Sequence, residues 1–347
     1  MKNCFLLLLI ACQGYVVLAQ DIEKKIPYET KSLANTIIKN VIVKTSGGSI
    51  SLSGATGQAP RVETYITGNN GHELTKEEIK TRLDKDYDLE VLVSNNEIHV
   101  TAKRKHDGVF NWSNNGLSIS FKVFVPKQVA AHLSTSGGSI HLENLSGDEN
   151  FNTSGGSLQI DHLTGMIKGG TSGGSITVSN SGNDIKLETS GGSIHASNCT
   201  GTIHLGTSGG SLHMDNLKGT IKAETSGGSI QANSIEGELI TGTSGGSINL
   251  TKMACSLSAS TSGGHVSAEL LSVGKYVKFE VSGGGVNLKL PAKQGMDLSL
   301  SGSRINKPAN LANFKGEWKK NRVKGSFNGG GIPVKVDASG HIELSFN

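Results

Sequence analysis

Apolar and polar residues along this chain repeat every 18 positions between Thr135 and Thr261. Thr-Ser-Gly-Gly begins at Thr45 and then at Thr135, Thr153, Thr171, Thr189, Thr207, Thr225, Thr243 and Thr261. A relative, Val281-Ser282-Gly283-Gly284, arrives 20 residues after the last copy. Counting each unit from its threonine, position 6 is always branched and apolar, from Ile140 and Leu158 to Val266. Position 8 is mostly apolar and position 11 usually so. Position 15 reads Ile167, Ile185, Ile203, Ile221, Leu239 and Leu257, and position 17 is apolar or small. Alternation at 6/8 and 15/17 predicts two short half-buried strands per unit. One such unit cannot bury its apolar face alone, so units must stack.

Two turns join the strands. The first holds the glycine pairs Gly137, Gly138, Gly155, Gly156, Gly173, Gly174, Gly191, Gly192, Gly209, Gly210, Gly227, Gly228, Gly245, Gly246, Gly263 and Gly264. Glycine is expected there because positive φ costs it no Cβ clash. The second is Asn-apolar-x-Gly, as in Asn144 to Gly147 and Asn216 to Gly219, since both residue types tolerate the left-handed region. A helix is ruled out, because the double glycine would cost about 2 kcal/mol per unit in helix propensity. The expected fold is all-β, a parallel β-solenoid of 18-residue coils. Strands about 4.8 Å apart make eight coils a rod roughly 40 Å long. The threonine shares the parity of inward positions 15 and 17, so it should cap the core through hydrogen bonds, leaving Ser at position 2 outward.

The ends depart from the repeat. Residues 1–19 read as a signal peptide, with Lys2, an apolar run from Phe5 to Ala11 and a small-residue cleavage site at Val17-Leu18-Ala19. Leu9-Ile10-Ala11-Cys12 also fits a bacterial lipobox, which would make Cys12 a lipid anchor; the apolar stretch after it favours cleavage near Ala19. Either route exports the chain to the periplasm, cell surface or medium. Residues 20–131 read as an N-terminal β-rich segment, with a capping box at Thr75 and Glu78 opening one short helix that buries Ile79 and Leu83. A polar loop, Asp107 to Gly116, carries Trp112. The solenoid is placed at 132–290. Residues 291–347 form C-terminal strands and a cap, the cap mainly from 311 onward with Trp318 and Phe346. No later stretch reaches the roughly 18 apolar residues of a membrane span.

Composition adds little beyond this. Glycine, 47 of 347 residues, is about twice the usual share, and the corners account for much of the excess. A net charge of +4 with 5% aromatics gives no case for nucleic acid. Cys199 and Cys255 sit at repeat positions 11 and 13, three coils apart, too far for a disulfide.

Phe121-Lys-Val-Phe-Val-Pro126, followed by Ser134-Thr-Ser-Gly-Gly-Ser-Ile140, resembles the "putative adhesin" family of secreted bacterial β-strand-repeat proteins. In that family a strand ending in Val-Pro precedes serial Ser-Gly-x-Ile units. The resemblance spans roughly residues 30–300. It implies an exported β-repeat architecture and supplies no catalytic residues.

Candidate chemistry reduces mostly to the repeat. Gly-x-Ser-x-Gly around Ser172, Ser208 and Ser244 copies a hydrolase elbow, yet it appears three times because position 18 is Gly before three of the invariant corners. His195 and His213, at position 7 of adjacent coils, face solvent about 5 Å apart and are weak candidate metal ligands; a surface ladder is the simpler reading. Periodic calcium lacks its aspartate. A threonine face for ice is disfavoured by the inward parity. Glu143 with Asp161, and Glu188 with Glu224 two coils apart at about 9.6 Å, offer spacings compatible with a glycosidase, but short coils leave no loops to wall a cleft. No catalytic residue and no cofactor is therefore assigned. The expected function is that of an exported, non-enzymatic structural or adhesive solenoid meeting a glycan or surface protein through polar ladders. The alternative is a carbohydrate-active β-helix enzyme. In a third reading only the N-terminal segment binds and the solenoid is a spacer.

Overall fold

The computed structural model describes residues 26–54, 57–69, 73–105, 116–308, 311 and 313–347. The signal segment with Cys12 and most of the Trp112 loop lie outside these residues. The described chain is a parallel β-solenoid. From Thr135 onward each coil pairs in register with the next, Ile140 with Leu158, Leu158 with Ile176 and Ile176 with Ile194.

The two strands of a coil are unequal. A four-residue strand covers positions 6–9, as in Ile140–Glu143, and an eight-residue strand runs from position 12 to the next threonine, as in Ser146–Thr153. From Leu212–Thr225 onward both merge into one bent strand per coil. Positions 6, 8, 11, 15 and 17 point inward, and each repeat threonine is buried with them. Bulk alternates along the stack. At position 8 Met214 lies between Ala196 and Ala232, and the Phe151 ring fills the space where a Cβ on Gly169 would sit.

The corners differ chemically. At the second corner position 10 is left-handed in seven successive coils, through Asn144 (φ 56), His162 (φ 54), Asn180 (φ 50) and on to Lys252 (φ 55). At the first corner the expectation of positive φ is corrected, because none of the Thr-Ser-Gly-Gly glycines is left-handed. Close stacking is the reason for glycine there. A Cβ on Gly174 would lie 1.9 Å from the Gly156 carbonyl oxygen, and one on Gly210 would lie 2.0 Å from that of Gly192. The first glycine of each pair is freer, with 3.6 Å at Gly173.

Threonine completes this corner. Thr171 Oγ1 donates to the Gly156 carbonyl of the coil below at 2.8 Å and accepts the Gly174 amide of its own corner at 3.2 Å. The same pair of bonds recurs at Thr153, Thr189, Thr207, Thr225, Thr243 and Thr261.

Chain order and stacking order part at both ends. The N-terminal segment comprises β1 (Glu29–Ser32), β2 (Asn40–Thr45), β3 (Ile50–Gly54), β4 (Arg61–Gly68), α1 (Lys76–Asp86), β5 (Tyr87–Ser94), β6 (Glu97–Arg104) and β7 (Leu117–Val125). The helix starts at the Thr75–Glu78 capping box and buries Ile79 and Leu83. The coil β2–β3 is sandwiched in parallel between β6–β7 and the Thr135 coil. Antiparallel β5 then flanks β6, and β4 followed by β1 flanks β7.

The C-terminus mirrors this arrangement. Ile332–Ala338 and His341–Phe346 form a coil inserted between Val266–Val281 with Val286–Leu290 on one side and Met296–Ser301 with Arg304–Asn306 on the other. Capping by 311–347 thus falls to the antiparallel strands Phe314–Trp318 and Arg322–Phe327, whereas 332–346 is internal. Its Ala338-Ser339-Gly340-His341-Ile342 is a degenerate corner, and a Cβ on Gly340 would lie 2.5 Å from the Gly284 oxygen. The 20-residue interval before Val281 is taken up by register shifts between Leu250 and Leu257.

Two predictions follow from corner geometry. Gly174→Ala should cost about 3 kcal/mol or more by overpacking, while Gly173→Ala stays within about 1 kcal/mol of wild type; urea unfolding of both checks the asymmetry. Thr207→Val removes both hydroxyl bonds without changing shape and should cost about 1–3 kcal/mol, with Thr207→Ser recovering most of the loss in the same assay.

Candidate binding faces

Stacking turns each outward position into a rank along the rod. On the short-strand face three ranks run side by side. Position 5 is serine from Ser139 to Ser247, and successive serines are linked where Oγ of one accepts the amide of the next, as from Ser211 to Ser193 at 3.1 Å. Position 7 reads His141, Gln159, Thr177, His195, His213, Gln231 and Asn249, paired rung by rung. Position 9 reads Glu143, Asp161, Ser179, Ser197, Asp215, Asn233 and Thr251, beside an asparagine rank at position 10 in which Asn216 Nδ2 donates to Asn198 Oδ1 at 2.8 Å.

His195 and His213 do meet. Their rings stack with centroids 4.6 Å apart and 5° between planes, at the edge of a shallow trough of about 470 Å³. Burial, then the charge of His195, pushes the His213 pKa down. Face-to-face stacking holds the two rings side by side rather than converging on a common point. No cluster of three His, Cys, Asp or Glu side chains suited to a metal occurs among the described residues.

The acid pairs are brought near one another and tied off. Partial burial pushes Asp161 up, but hydrogen bonds from Ser179 and Asn180 and contact with His162 outweigh it and hold the carboxyl below its usual range. Glu143 accepts from Ser53 Oγ at 2.8 Å and lies 3.5 Å from His141. On the long-strand face Glu188 and Glu224 flank Gly206. Each is ion-paired within its own coil, to Lys186 at 3.2 Å and to Lys222 at 2.9 Å. Both are about half exposed along an open trough, so neither is desolvated as a general acid requires. Ser172, Ser208 and Ser244 are exposed corner residues, one coil-pair apart. Cys199 and Cys255 are buried free thiols, and burial pushes Cys255 up to about 12.

Two features escaped sequence reasoning. The first is Glu149, which occupies core position 15 in place of the usual isoleucine, 1% exposed. It stacks between Ala131 and Ile167, and neither carboxyl oxygen has a hydrogen-bond partner. Desolvation, helped by neighbouring Asp148, raises its pKa to about 8. The position-15 column itself was the available signal, since an acid there breaks an otherwise aliphatic series.

The second is a cluster where the short-strand face ends on β4 and β7. Arg61, Glu63 and Tyr65 of β4 project beside Phe124, Lys122 and Ser120 of β7. The Arg61 guanidinium lies 3.8 Å over the Phe124 ring and donates Nε to Glu63 at 2.6 Å. Tyr65 donates its hydroxyl to the other Glu63 oxygen at 2.7 Å, and Lys122 Nζ sits 5.0 Å over the Tyr65 ring. Burial pushes Glu63 up, but Tyr65 and Arg61, with the charge of Lys122, outweigh it and leave the carboxyl low. Burial and the Glu63 bond push Tyr65 up to about 12. Only the strand pairing brings Arg61, Glu63, Tyr65, Lys122 and Phe124 together.

A sequence profile described as Toastrack DUF4097 matches residues 61–345. The chain belongs to the Toastrack DUF4097 family. The match agrees with the resemblance carried by Phe121–Pro126 and Ser134–Ile140, and it extends through the C-terminal coil. Solved structures similar to this Toastrack chain include a "putative cell adhesion protein" from Clostridium sporogenes (11% identity, TM-score 0.21, 92% of this chain and 98% of that one). A "putative lipid binding protein" from Parabacteroides distasonis is 14% identical (TM-score 0.32, 75% and 96%). A "putative adhesin" from Bacteroides fragilis is 15% identical (TM-score 0.25, 91% and 96%). No curated protein matches the chain.

Glu149 yields a prediction with a defined sign. The folded carboxyl keeps its proton to about pH 8, whereas an ordinary one releases it near 4.5. Between these values the folded state binds more protons at this site, so the contribution of Glu149 to stability is greatest below pH 4.5 and is lost as pH rises towards 8. Glu149→Ile should remove this dependence and raise stability at pH 8 by about 2–4 kcal/mol. Thermal melts across pH 4–9 measure both effects.

Proposed function

We propose that this Toastrack chain is an exported, non-enzymatic solenoid that binds cell-surface or matrix ligands through its repeated polar ranks. The observation carrying this reading is the short-strand face. It offers a serine hydroxyl in every coil from Ser139 to Ser247, beside a varied rank of imidazole, amide and hydroxyl groups, at a spacing of about 4.8 Å. Such a face suits many weak contacts summed by avidity better than one deep site. Of the acids that could have served an enzyme, Glu188 and Glu224 are exposed and ion-paired, and Glu143 and Asp161 are held by hydrogen bonds. No helix among the described residues is long and apolar enough to cross a membrane, and the N-terminal signal segment supports export with cleavage near Ala19. The partner class that fits the ranks is a glycan or a surface protein.

Deleting residues 171–224 removes three whole coils, including His195, His213, Glu188 and Glu224, and joins Gly170 to Thr225 in register. The shortened protein should fold, with an unchanged β-type circular dichroism spectrum, and should lose at least about tenfold in avidity for immobilised cell-wall or matrix preparations. Undiminished binding would make the solenoid a spacer and sink the proposal. Hydrolysis of a polysaccharide panel by the purified chain, abolished by Glu188→Gln, would establish the enzymatic alternative instead.

A further inference from the structure

The short-strand face changes character at its N-terminal end. From Ser49 to Thr251 its three central ranks hold Ser, Thr, Asn, Gln, His, Asp and Glu. On β7 and β4 those same ranks continue as Ser120 to Tyr65, Lys122 to Glu63, and Phe124 to Arg61. Two half-buried aromatic rings and two cations thus stand where the polar ranks end, in an open groove of about 850 Å³ with Pro27 on its wall.

The charges in this groove are arranged unequally. Glu63 is committed, one oxygen to Arg61 Nε and the other to the Tyr65 hydroxyl. Arg61 is anchored further by Nη1 to Gln58 Oε1 at 3.1 Å, so the Arg61–Glu63–Tyr65 set is held rigid and internally neutralised. Lys122 is exposed and forms no ion pair among the described residues. Lys122 lies across the strand pair from Glu63 and helps to hold that carboxyl low. Two cations still face one carboxylate, so the groove carries one net positive charge, at the exposed Lys122 ammonium beside preformed aromatic surface and the hydroxyls of Ser51 and Ser120. Charge complementarity selects an anion. The rings and hydroxyls favour one carrying an apolar face and several hydroxyl groups over a simple inorganic ion.

We propose that the β4–β7 groove binds an acidic saccharide, with a uronate carboxylate on Lys122 and the sugar ring against Tyr65 and Phe124. The inference deepens the adhesive reading and rests on it, because the groove terminates the same face: a polysaccharide entering there is directed along the serine and position-7 ranks. Rigidity of the Arg61–Glu63–Tyr65 set keeps the groove organised before the ligand arrives.

Calorimetry of the full chain with oligogalacturonate, neutral oligogalactan of equal length, poly-glutamate and phosphatidylglycerol vesicles tests the proposal. Oligogalacturonate should bind, at least about tenfold more weakly to Lys122→Gln and Phe124→Ser, with Lys122→Arg restoring much of the affinity and Lys222→Gln, on the opposite face, leaving it unchanged. Equal binding of the neutral oligomer, preference for poly-glutamate or vesicles, no binding of oligogalacturonate, or indifference to Lys122→Gln would each overturn it. The protein lacking 171–224 separates the two readings. Oligogalacturonate binding that survives the deletion but not Lys122→Gln upholds the groove even if the ladder reading fails. Binding lost on deletion but kept in Lys122→Gln overturns the groove and leaves the ladder standing.

Discussion

The structure depends on the contact between a glycine carbonyl in one corner and the threonine and glycine of the corner above it. Neighbouring corners approach so closely that a Cβ at the second glycine would penetrate the carbonyl below. At that separation the buried threonine hydroxyl bridges the coils, donating downward and accepting from its own corner. Buried backbone groups that no strand can pair are thereby satisfied. The bridge sets the corner height, and corner height in turn holds the apolar positions of successive coils in register.

An array with so uniform an interior has a problem at its ends, where an unpaired strand would template further association. Both ends answer it by inserting a coil out of chain order. The first coil, β2–β3, and the last, Ile332–Phe346, each have parallel neighbours on both sides. Three of the four outermost strands are antiparallel to their neighbours, and the fourth, Arg304–Asn306, is only three residues long. β1 is only Glu29-Thr-Lys-Ser with every residue exposed, and Phe314–Trp318 contains Gly316 at φ 153. The C-terminal coil is locked inside the stack, and the short edge strands β1 and Phe314–Trp318 are poor templates.

Function follows from what the ranks expose. The interior tolerates oddities such as Glu149, whereas many exterior groups of the repeat are tied to their neighbours: serines bond to serines, asparagines to asparagines, and Lys186, Lys222 and Lys278 to the glutamate two residues on. The β4–β7 end is different because antiparallel pairing there joins side chains from outside the repeat, setting Lys122 beside the Tyr65 ring and two cations against the single carboxylate of Glu63.

The period, inward positions, helix cap, left-handed second corner and buried threonine were legible in the residues, because each follows from local chemistry repeated in register. The sequence also determined the His195–His213 neighbourhood, since a fixed period converts sequence spacing into distance. It misled about the first corner, where glycine serves a contact between coils rather than a dihedral within one, and a one-dimensional pattern carries no record of such a contact. Only the tertiary structure decided the insertion of the terminal coils and the assembly of Arg61, Glu63, Tyr65, Lys122 and Phe124. Both depend on which strand pairs with which across long stretches of chain, and outside the repeat nothing periodic specifies that choice.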